Sequence, residues 1–210
     1  MDKKTEIIHC GMDRDPQTGA AGVPLYLAST YHQPDVEARQ EYAYARSGNP
    51  TRGAVEKALA DLEGGAAAFA FSSGMAAIAS SFLLFKPGDP LVVADALYGG
   101  TFTALTKLFN DWGLTASFVD MADLDAVRRA IRPETKCLYA ETPSNPLLAI
   151  TDLEAVASLA RGHGLPSMVA NPFATTYLPT PLHFGSDLCR PSAPQSPHAH
   201  SARLRARQYS

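Results

Sequence analysis

The sequence predicts an α/β domain in which helices pack against a mostly parallel β-sheet. Three observations support this prediction. Short apolar segments alternate with segments of helical periodicity between about residues 51 and 187. The short segments are apolar at every position, which is typical of parallel strands covered by helices on both faces. Turns that contain glycine or proline separate the segments, as in the KPGDP run at 86–90.

The helices follow from the spacing of apolar residues. In the first of them, Val55, Leu59 and Leu62 recur at intervals of four and three residues, and Gly64 and Gly65 then end the helix. The predicted helices are 51–65, 76–85, 101–113, 122–131 and 151–164. The predicted strands between them are 66–71, 91–94, 115–120, 137–142 and 166–170.

The two ends of the chain differ from this central domain, which we assign to residues 51–187. Residues 1–50 are rich in Gly, Pro, Tyr and Ser, and predict an N-terminal arm with short turns. Residues 188–210 contain no acidic residue and no Val, Ile, Phe or Met. Such a segment buries too little apolar surface to offset its ordering entropy, so we expect a disordered, aberrant tail. Alternatively, its arginines form a basic tail for an acidic partner.

The composition of the chain limits the classes of function and partner that we expect. The chain has 210 residues, 46% of them hydrophobic and 19% charged, which allows one sizeable core. A net charge of −3 gives no reason to expect nucleic acid or a membrane as partner. No apolar run approaches the roughly 20 residues that span a bilayer, and no signal peptide is recognisable, so we expect a cytoplasmic protein. Cys10, Cys137 and Cys189 are widely separated, and we expect reduced thiols and no metal site.

Four short motifs carry residues that suit ligand binding. Gly74, in SSGM, lies between a strand and a helix, where backbone N–H groups suit a phosphate, although an ordinary turn has the same pattern. Tyr98 follows a strand and could stack on a planar ring or transfer a proton, or could be a core tyrosine. Asn145 could bind a ligand or cap a turn. Arg46 suits phosphate but could equally be solvated.

In their order along the chain, YARSGNPTR, SSGMAAI, DALYGGT, ETPSNPLL and VANPFATTYL resemble the trans-sulfuration family of pyridoxal-phosphate (PLP) enzymes. The resemblance runs from about Glu6 to Asp187. It implies the large domain of fold-type I PLP enzymes, incomplete at its C-terminus, with PLP as cofactor. It also implies a homodimer or tetramer, in which Tyr44 and Arg46 reach the phosphate of the neighbouring subunit's cofactor.

The family includes cystathionine γ-synthase and the cystathionine β- and γ-lyases. The resemblance therefore implies β- or γ-elimination, or γ-replacement, on cystathionine, a related sulfur amino acid or an activated homoserine. It makes Gly74 and Met75 phosphate binders through their backbone amides. Tyr98 would stack on the cofactor ring and is the candidate for activating the substrate amine. Asn145 would contact the 3-oxygen of the ring.

The sequence departs from the family pattern at residues that the chemistry needs. The family reads VDNTFATPYL where this chain reads VANPFATTYL, so Ala170 replaces the aspartate that pairs with the pyridine nitrogen. The family then reads SATK, and Gln195 lies at the position of the Schiff-base lysine. No lysine follows Lys136. We therefore expect this chain to be catalytically incompetent.

Two interpretations follow from these departures. The chain is a trans-sulfuration enzyme by descent, or it is a non-catalytic remnant that binds PLP weakly or pairs with a full-length paralogue. Ala170, Pro172 and Gln195 would each arise from a single A-to-C change, which favours a degraded read or a decayed gene, with a local frameshift as a competing account. We also expect the sheet to lack the strands that follow residue 187, leaving an exposed edge and poor solubility.

Overall fold

Seven strands form the sheet of this protein. The computed structural model describes residues 2–11, 14–37, 40–178, 180–191 and 202–206, with residue 191 and the last segment described by their backbone. The strands are β1 (Ala67–Phe71), β2 (Pro90–Ala94), β3 (Thr115–Val119), β4 (Cys137–Glu141), β5 (Ser167–Asn171), β6 (Leu188–Pro191) and β7 (Ala202–Ala206).

Helices connect most of these strands. They are α1 (Lys3–His9), α2 (Pro50–Glu63), α3 (Gly74–Phe82), α4 (Gly99–Thr103), α5 (Phe109–Asp111), α6 (Leu124–Ala130) and α7 (Leu153–Gly162). A π-helical segment, Ala104–Leu108, joins α4 to α5, where the sequence predicts one regular helix. Within the described ranges, no helix has the length and apolarity that crossing a membrane requires.

The strand order across the sheet is β1-β7-β6-β5-β4-β2-β3. The pairs β2–β3, β2–β4, β4–β5 and β5–β6 are parallel, and β7 runs antiparallel to both of its neighbours. The predicted α/β fold with a mostly parallel sheet is confirmed. Because the parallel strands point the same way, their carboxyl ends share one edge, where open α/β sheets place their ligands.

Continuous burial of the central strands explains their apolar sequences. All five residues of β4 and all five of β5 are buried. Phe82 of α3 packs on one face, with its ring centroid 5.4 Å from that of Phe109 and 5.3 Å from that of Tyr139. Burial of a large aromatic side chain contributes on the order of 2–3 kcal/mol, so these contacts hold α3 firmly against the sheet.

Helices α2, α3, α6 and α7 begin where a side-chain cap satisfies their first N–H groups. The Asn49 side chain accepts hydrogen bonds from the backbone N–H groups of Thr51 and Arg52, and Pro50 is the first helical residue of α2. Gly64 ends α2 in the left-handed conformation, with φ of 67°. A side-chain cap such as Asn49 contributes about 1 kcal/mol, and it is visible in the sequence as a short polar residue before a helical segment.

The N-terminal arm contains a helix that the sequence analysis missed. Helix α1 buries none of its residues, so it has no apolar face whose periodicity could reveal it. From residue 14 to 49, the described chain has no helix or multi-residue strand. It is extended with turns, apart from one bridge between Thr30 and Tyr44.

The expectation of disorder for 188–210 is wrong for two parts of that range. Leu188–Pro191 pairs in parallel with β5, and the backbone of Ala202–Ala206 lies antiparallel between β1 and β6. The Asp187 carboxylate accepts a hydrogen bond of 2.7 Å from the backbone N–H of Ser167, which holds the start of β6 beside β5. Residues 192–201 and 207–210 lie outside the described residues, and the domain boundaries remain a prediction.

The expectation that the sheet lacks the strands after residue 187 is also wrong. Strands β6 and β7 continue the sheet from β5 to β1. Strand pairing satisfies backbone groups whatever the side chains are, so a segment poor in branched apolar residues can still enter a sheet. Leu188 and Cys189 are buried there. Composition alone therefore misjudged this segment.

We predict that the thiol of Cys189 is protected in the native protein. Burial raises the pKa of Cys189 to about 12, and burial also raises the pKa of Cys137. Little thiolate exists on either residue at mildly alkaline pH. In a Cys10→Ser variant, both thiols should react slowly with a disulfide reagent in buffer and rapidly in guanidinium chloride.

A Cys10→Ser/Cys189→Ser double variant is the control, since it leaves only the thiol of Cys137 on β4. Suppose that one thiol of the Cys10→Ser variant reacts in buffer as fast as it does in guanidinium chloride, and that this fast reaction is absent from the double variant. Cys189 would then lie in a mobile tail instead of β6.

Candidate active site

A cavity of about 280 Å³ lies at the carboxyl edge of the sheet. Its walls come from α3, from the loops after β2 and β4, and from the ends of β5 and β6. The lining residues are Ser73, Gly74, Met75, Ile78, Tyr98, Glu141, Asn145, Pro172 and Arg190. The cavity therefore contains all four residues predicted to hold one cofactor: Gly74, Met75, Tyr98 and Asn145.

The N-terminus of α3 supplies N–H donors to this cavity. The Ser73 side chain accepts a hydrogen bond of 3.1 Å from the N–H of Ala76, and the Ser73 carbonyl accepts one from the N–H of Ala77. The N–H groups of Gly74 and Met75 have no acceptor in a preceding helical turn. Together with the positive end of the helix dipole, they form a site for an anion such as phosphate.

Tyr98 presents its ring beside these donors, with 44% of the residue exposed. The ring lies against Gly100, where a Cβ atom would be 2.5 Å from Cε1 of Tyr98 and 3.0 Å from Sδ of Met75. Only a residue without a Cβ fits under the ring in this position. Gly100 therefore sets the orientation of Tyr98 relative to the start of α3.

Glu141 joins the two loops that carry Tyr98 and Asn145. Its carboxylate accepts a hydrogen bond of 3.2 Å from the N–H of Tyr98 and one of 3.1 Å from the N–H of Asn145. The residue is 1% exposed. Burial raises the pKa of Glu141, while the two N–H groups and the charge of Arg190 act in the opposite direction.

Arg190 lines the cavity on β6, and its neighbour Ala170 on β5 is not among the lining residues. Ala170 of β5 is buried and pairs in register with Glu141 on one side and Arg190 on the other. Its methyl group offers no charge to a ligand. The Arg190 guanidinium is buried, lines the cavity, and has an Nε atom without a hydrogen-bond partner among the described residues.

Tyr44 and Arg46 lie on the arm and do not line this cavity. Nη2 of Arg46 donates a hydrogen bond of 3.0 Å to the Tyr44 hydroxyl, and the guanidinium carbon lies 5.1 Å from the centroid of the Tyr44 ring. The two side chains thus contact each other outside the cavity. Their contact with the cofactor of a neighbouring subunit remains a prediction.

The sequence analysis missed the two charged residues that line the cavity, Glu141 and Arg190. Glu141 lay in a quoted motif, and its signal was a carboxylate at the end of an otherwise apolar strand. Arg190 fell in the expected disordered tail, and nothing in its local sequence marks it as buried. Gln195, at the expected lysine position, lies outside the described residues. Within those residues, no group of three or more His, Cys, Asp and Glu side chains could hold a metal ion.

The sequence pattern of the Cys/Met metabolism PLP-dependent enzymes matches residues 4–201. This chain belongs to that family. The enzymes of this family depend on PLP. The family resemblance predicted from the sequence motifs is therefore confirmed over nearly the whole chain.

Individual relatives agree with this assignment. A cystathionine β-lyase of Lactococcus lactis subsp. cremoris (strain MG1363) is 45% identical over 198 residues, which are 94% of this chain and 52% of that protein. A cystathionine γ-lyase of Bacillus subtilis (strain 168) is 46% identical over 201 residues, 96% of this chain and 53% of that protein. This chain thus spans about half the length of the curated relatives it matches.

Solved structures show the same fold. The crystal structure of a cystathionine γ-lyase from Lactobacillus plantarum, complexed with L-serine, superimposes with a TM-score of 0.93 at 43% sequence identity. The match covers 99% of this chain and 55% of that one. The sheet described above is therefore the fold of a PLP-dependent lyase over the part that this chain spans.

The described residues fit PLP at one end and not at the other. The Gly74 and Met75 N–H groups suit its phosphate, and the exposed Tyr98 ring suits an aromatic partner. At the position of the family's aspartate, the methyl group of Ala170 cannot pair with a protonated ring nitrogen. The charged group beside it is the cation Arg190, which opposes that protonation. The start of α3 thus suits a phosphate, whereas the Ala170 side chain offers no counter-ion to a ring nitrogen.

We predict that Gly100→Ala destabilises the protein by about 1–3 kcal/mol, because the added methyl group overlaps the Tyr98 ring and the Met75 sulfur. Urea denaturation measures the change. Gly99→Ala is the matched control, since a Cβ at the neighbouring glycine meets nothing within 4 Å. Equal effects of the two substitutions would contradict the packing argument.

A second prediction concerns the pH dependence of stability. The pKa of Glu141 is raised above 4.5 in the folded protein, so its ionisation destabilises the fold as pH rises through that range. The free energy of unfolding of the native chain, minus that of Glu141→Gln, should therefore be greatest near pH 4.5 and should fall towards neutrality.

Urea denaturation at a series of pH values measures this difference. Glu134→Gln removes an exposed carboxylate and serves as the baseline. The free energy of unfolding of the native chain, minus that of Glu141→Gln, could instead increase with pH. That result would mean that the two hydrogen bonds from backbone N–H groups outweigh the burial of the carboxylate.

Proposed function

We propose that this chain is the N-terminal part of a trans-sulfuration enzyme by descent, whose reaction is β- or γ-elimination or γ-replacement on a sulfur amino acid or an activated homoserine. We further propose that the chain with this sequence does not catalyse that reaction. The observation that supports both parts is the cavity lined by Gly74 and Met75 at the start of α3, on a sheet whose strand β5 carries Ala170 where the family pattern has an aspartate. A cytoplasmic location belongs to the same proposal.

The retained residues have separate roles in this proposal. The backbone N–H groups of Gly74 and Met75 hold the phosphate. Tyr98 stacks on the cofactor ring, and its phenol lies within the cavity to exchange a proton with a substrate amine. Asn145 contacts the ring's 3-oxygen. Glu141 is a positioning residue, because it acts only through the backbone of the loops that carry Tyr98 and Asn145.

PLP, when bound, supplies an electron sink for the carbanion that forms at the α-carbon of an amino-acid substrate. A carboxylate would be needed to keep the ring nitrogen of the bound cofactor protonated, and the side chain of Ala170 has none. Moving the α-proton is a task for an amine close to the ring, which the amide of Gln195 cannot perform. With both tasks unfilled, we expect binding without turnover.

The arm supports a proposed assembly. The paired side chains of Tyr44 and Arg46 present a phenol and a guanidinium together, a combination suited to a phosphate. Since they are absent from the walls of their own subunit's cavity, we propose that they complete the site of a neighbouring copy. The smallest complete cofactor site is then a homodimer.

A second candidate function is a non-catalytic partner that binds PLP weakly or pairs with a full-length paralogue. The observation that favours it is that Tyr44 and Arg46 are present although position 170 carries no carboxylate. A chain that lends its arm to an intact neighbour needs no lysine of its own. Co-elution of the two proteins on size exclusion, abolished by Arg46→Ala and Tyr44→Phe together, would support this function.

Covalent trapping of PLP tests the main proposal. The native chain, Gln195→Lys and Gln195→Arg are each incubated with equimolar PLP, reduced with borohydride, and digested for peptide mass spectrometry. We expect a site-specific adduct on the peptide containing residue 195 only in Gln195→Lys, because arginine carries the charge but no amine that forms the adduct.

Absence of an adduct in Gln195→Lys would sink the assignment of position 195 to the cofactor site. A stoichiometric adduct on one lysine of the native chain would sink the proposal that the chain lacks a cofactor-binding amine.

A further inference from the structure

Arg190 is a buried cation in the wall of the cavity. It is the last residue of β6 whose side chain the structure describes, and only 6% of the residue is exposed. Its Nε atom has no hydrogen-bond partner among the described residues, and none of the ion pairs they form includes Arg190. A guanidinium offers five N–H donors in a planar fork and stays charged when buried.

Burial of such a group is costly unless an anion accompanies it. The nearby carboxylate is that of Glu141, which already accepts the N–H groups of Tyr98 and Asn145. The charge of Arg190 acts on Glu141, but the two form none of the ion pairs among the described residues. The buried charge of Arg190 therefore points to an anionic ligand.

The same cavity carries a second anion-binding element. The N–H groups of Gly74 and Met75 at the start of α3 line it together with Arg190. The volume of about 280 Å³ is close to the lower end of the range for small-molecule sites, about 300–1,000 Å³. A ligand with an anionic group at each end would satisfy both elements within this space.

We propose that the cavity binds a small phosphate monoester that also carries a carboxylate, with the phosphate at the N-terminus of α3 and the carboxylate at Arg190. A carboxylate neutralises one guanidinium with one charge. A second phosphate would place excess negative charge beside Glu141. The carboxylate also matches the planar fork of arginine in a bidentate arrangement.

This inference goes beyond the proposed function. PLP carries a phosphate but no carboxylate, so the guanidinium of Arg190 would stay without its bidentate partner when PLP is bound. A ligand of the proposed class would bind without a lysine and without the carboxylate missing at Ala170. The chain would then retain a binding activity that does not depend on the chemistry of its family.

A pair of probes isolates the carboxylate. O-phospho-L-serine and O-phosphoethanolamine share a phosphate and an amine and differ only in the carboxylate. Isothermal titration calorimetry on the full chain should give about tenfold tighter binding of O-phospho-L-serine, as expected for one buried charge-assisted contact. Inorganic phosphate should displace both probes, because the phosphate cradle is common to them.

Arg190→Met removes the charge and keeps an unbranched side chain. It should abolish the preference for O-phospho-L-serine while leaving the affinity for O-phosphoethanolamine within about twofold. Arg190→Lys keeps the charge without the fork and should give an intermediate preference. Because Arg190→Met could disturb β6, far-UV circular dichroism accompanies each titration, and Arg190→Lys carries the test if Arg190→Met does not fold.

Equal affinity of the native chain for the two probes would overturn the proposal, as would failure of O-phospho-L-serine to bind. A preference that survives in both Arg190 variants would also overturn it, since the carboxylate would then bind elsewhere. The PLP-trapping experiment does not involve Arg190, so its failure is distinguishable from failure here.

Discussion

The buried carboxylate of Glu141 is the contact on which the geometry of the cavity depends. It lies at the carboxyl end of β4 and accepts N–H groups from the loop after β2 and from the loop that follows β4 itself. Two loops that are 47 residues apart at Tyr98 and Asn145 are thereby held at one edge of the sheet. An acceptor of this kind is effective because a buried N–H without a partner costs about 1–3 kcal/mol.

The two ends of the cavity differ in how they are built. The phosphate end is formed by backbone N–H groups at the start of α3, so it depends on helix geometry and on the small residues that permit close approach. The ring-nitrogen end requires one specific carboxylate, which Ala170 lacks. A backbone site tolerates substitution that a side-chain site does not, and this is why the proposed function combines binding with the absence of turnover.

Strand β6 changes the interpretation of the end of the chain. Its backbone pairs with β5, and the Asp187 side chain holds its first residue beside Ser167. This pairing carries Arg190 into the protein, next to Ala170. An arginine in a mobile segment would be a solvated charge, whereas in a buried strand the charge of Arg190 acts on Glu141 in the cavity.

The sequence by itself determined the alternation of strands and helices, the glycines that end the first long helix and, through family motifs, four of the residues that line the cavity. Apolar periodicity, capping residues and motifs are local properties, so they can be recognised without knowledge of distant contacts. The tertiary structure alone decided the strand order, the inclusion of β6 and β7, and the roles of Glu141 and Arg190. Each of these depends on which backbone or side chain lies beside a residue across the sheet, and a partner distant in the chain leaves no mark on the local sequence.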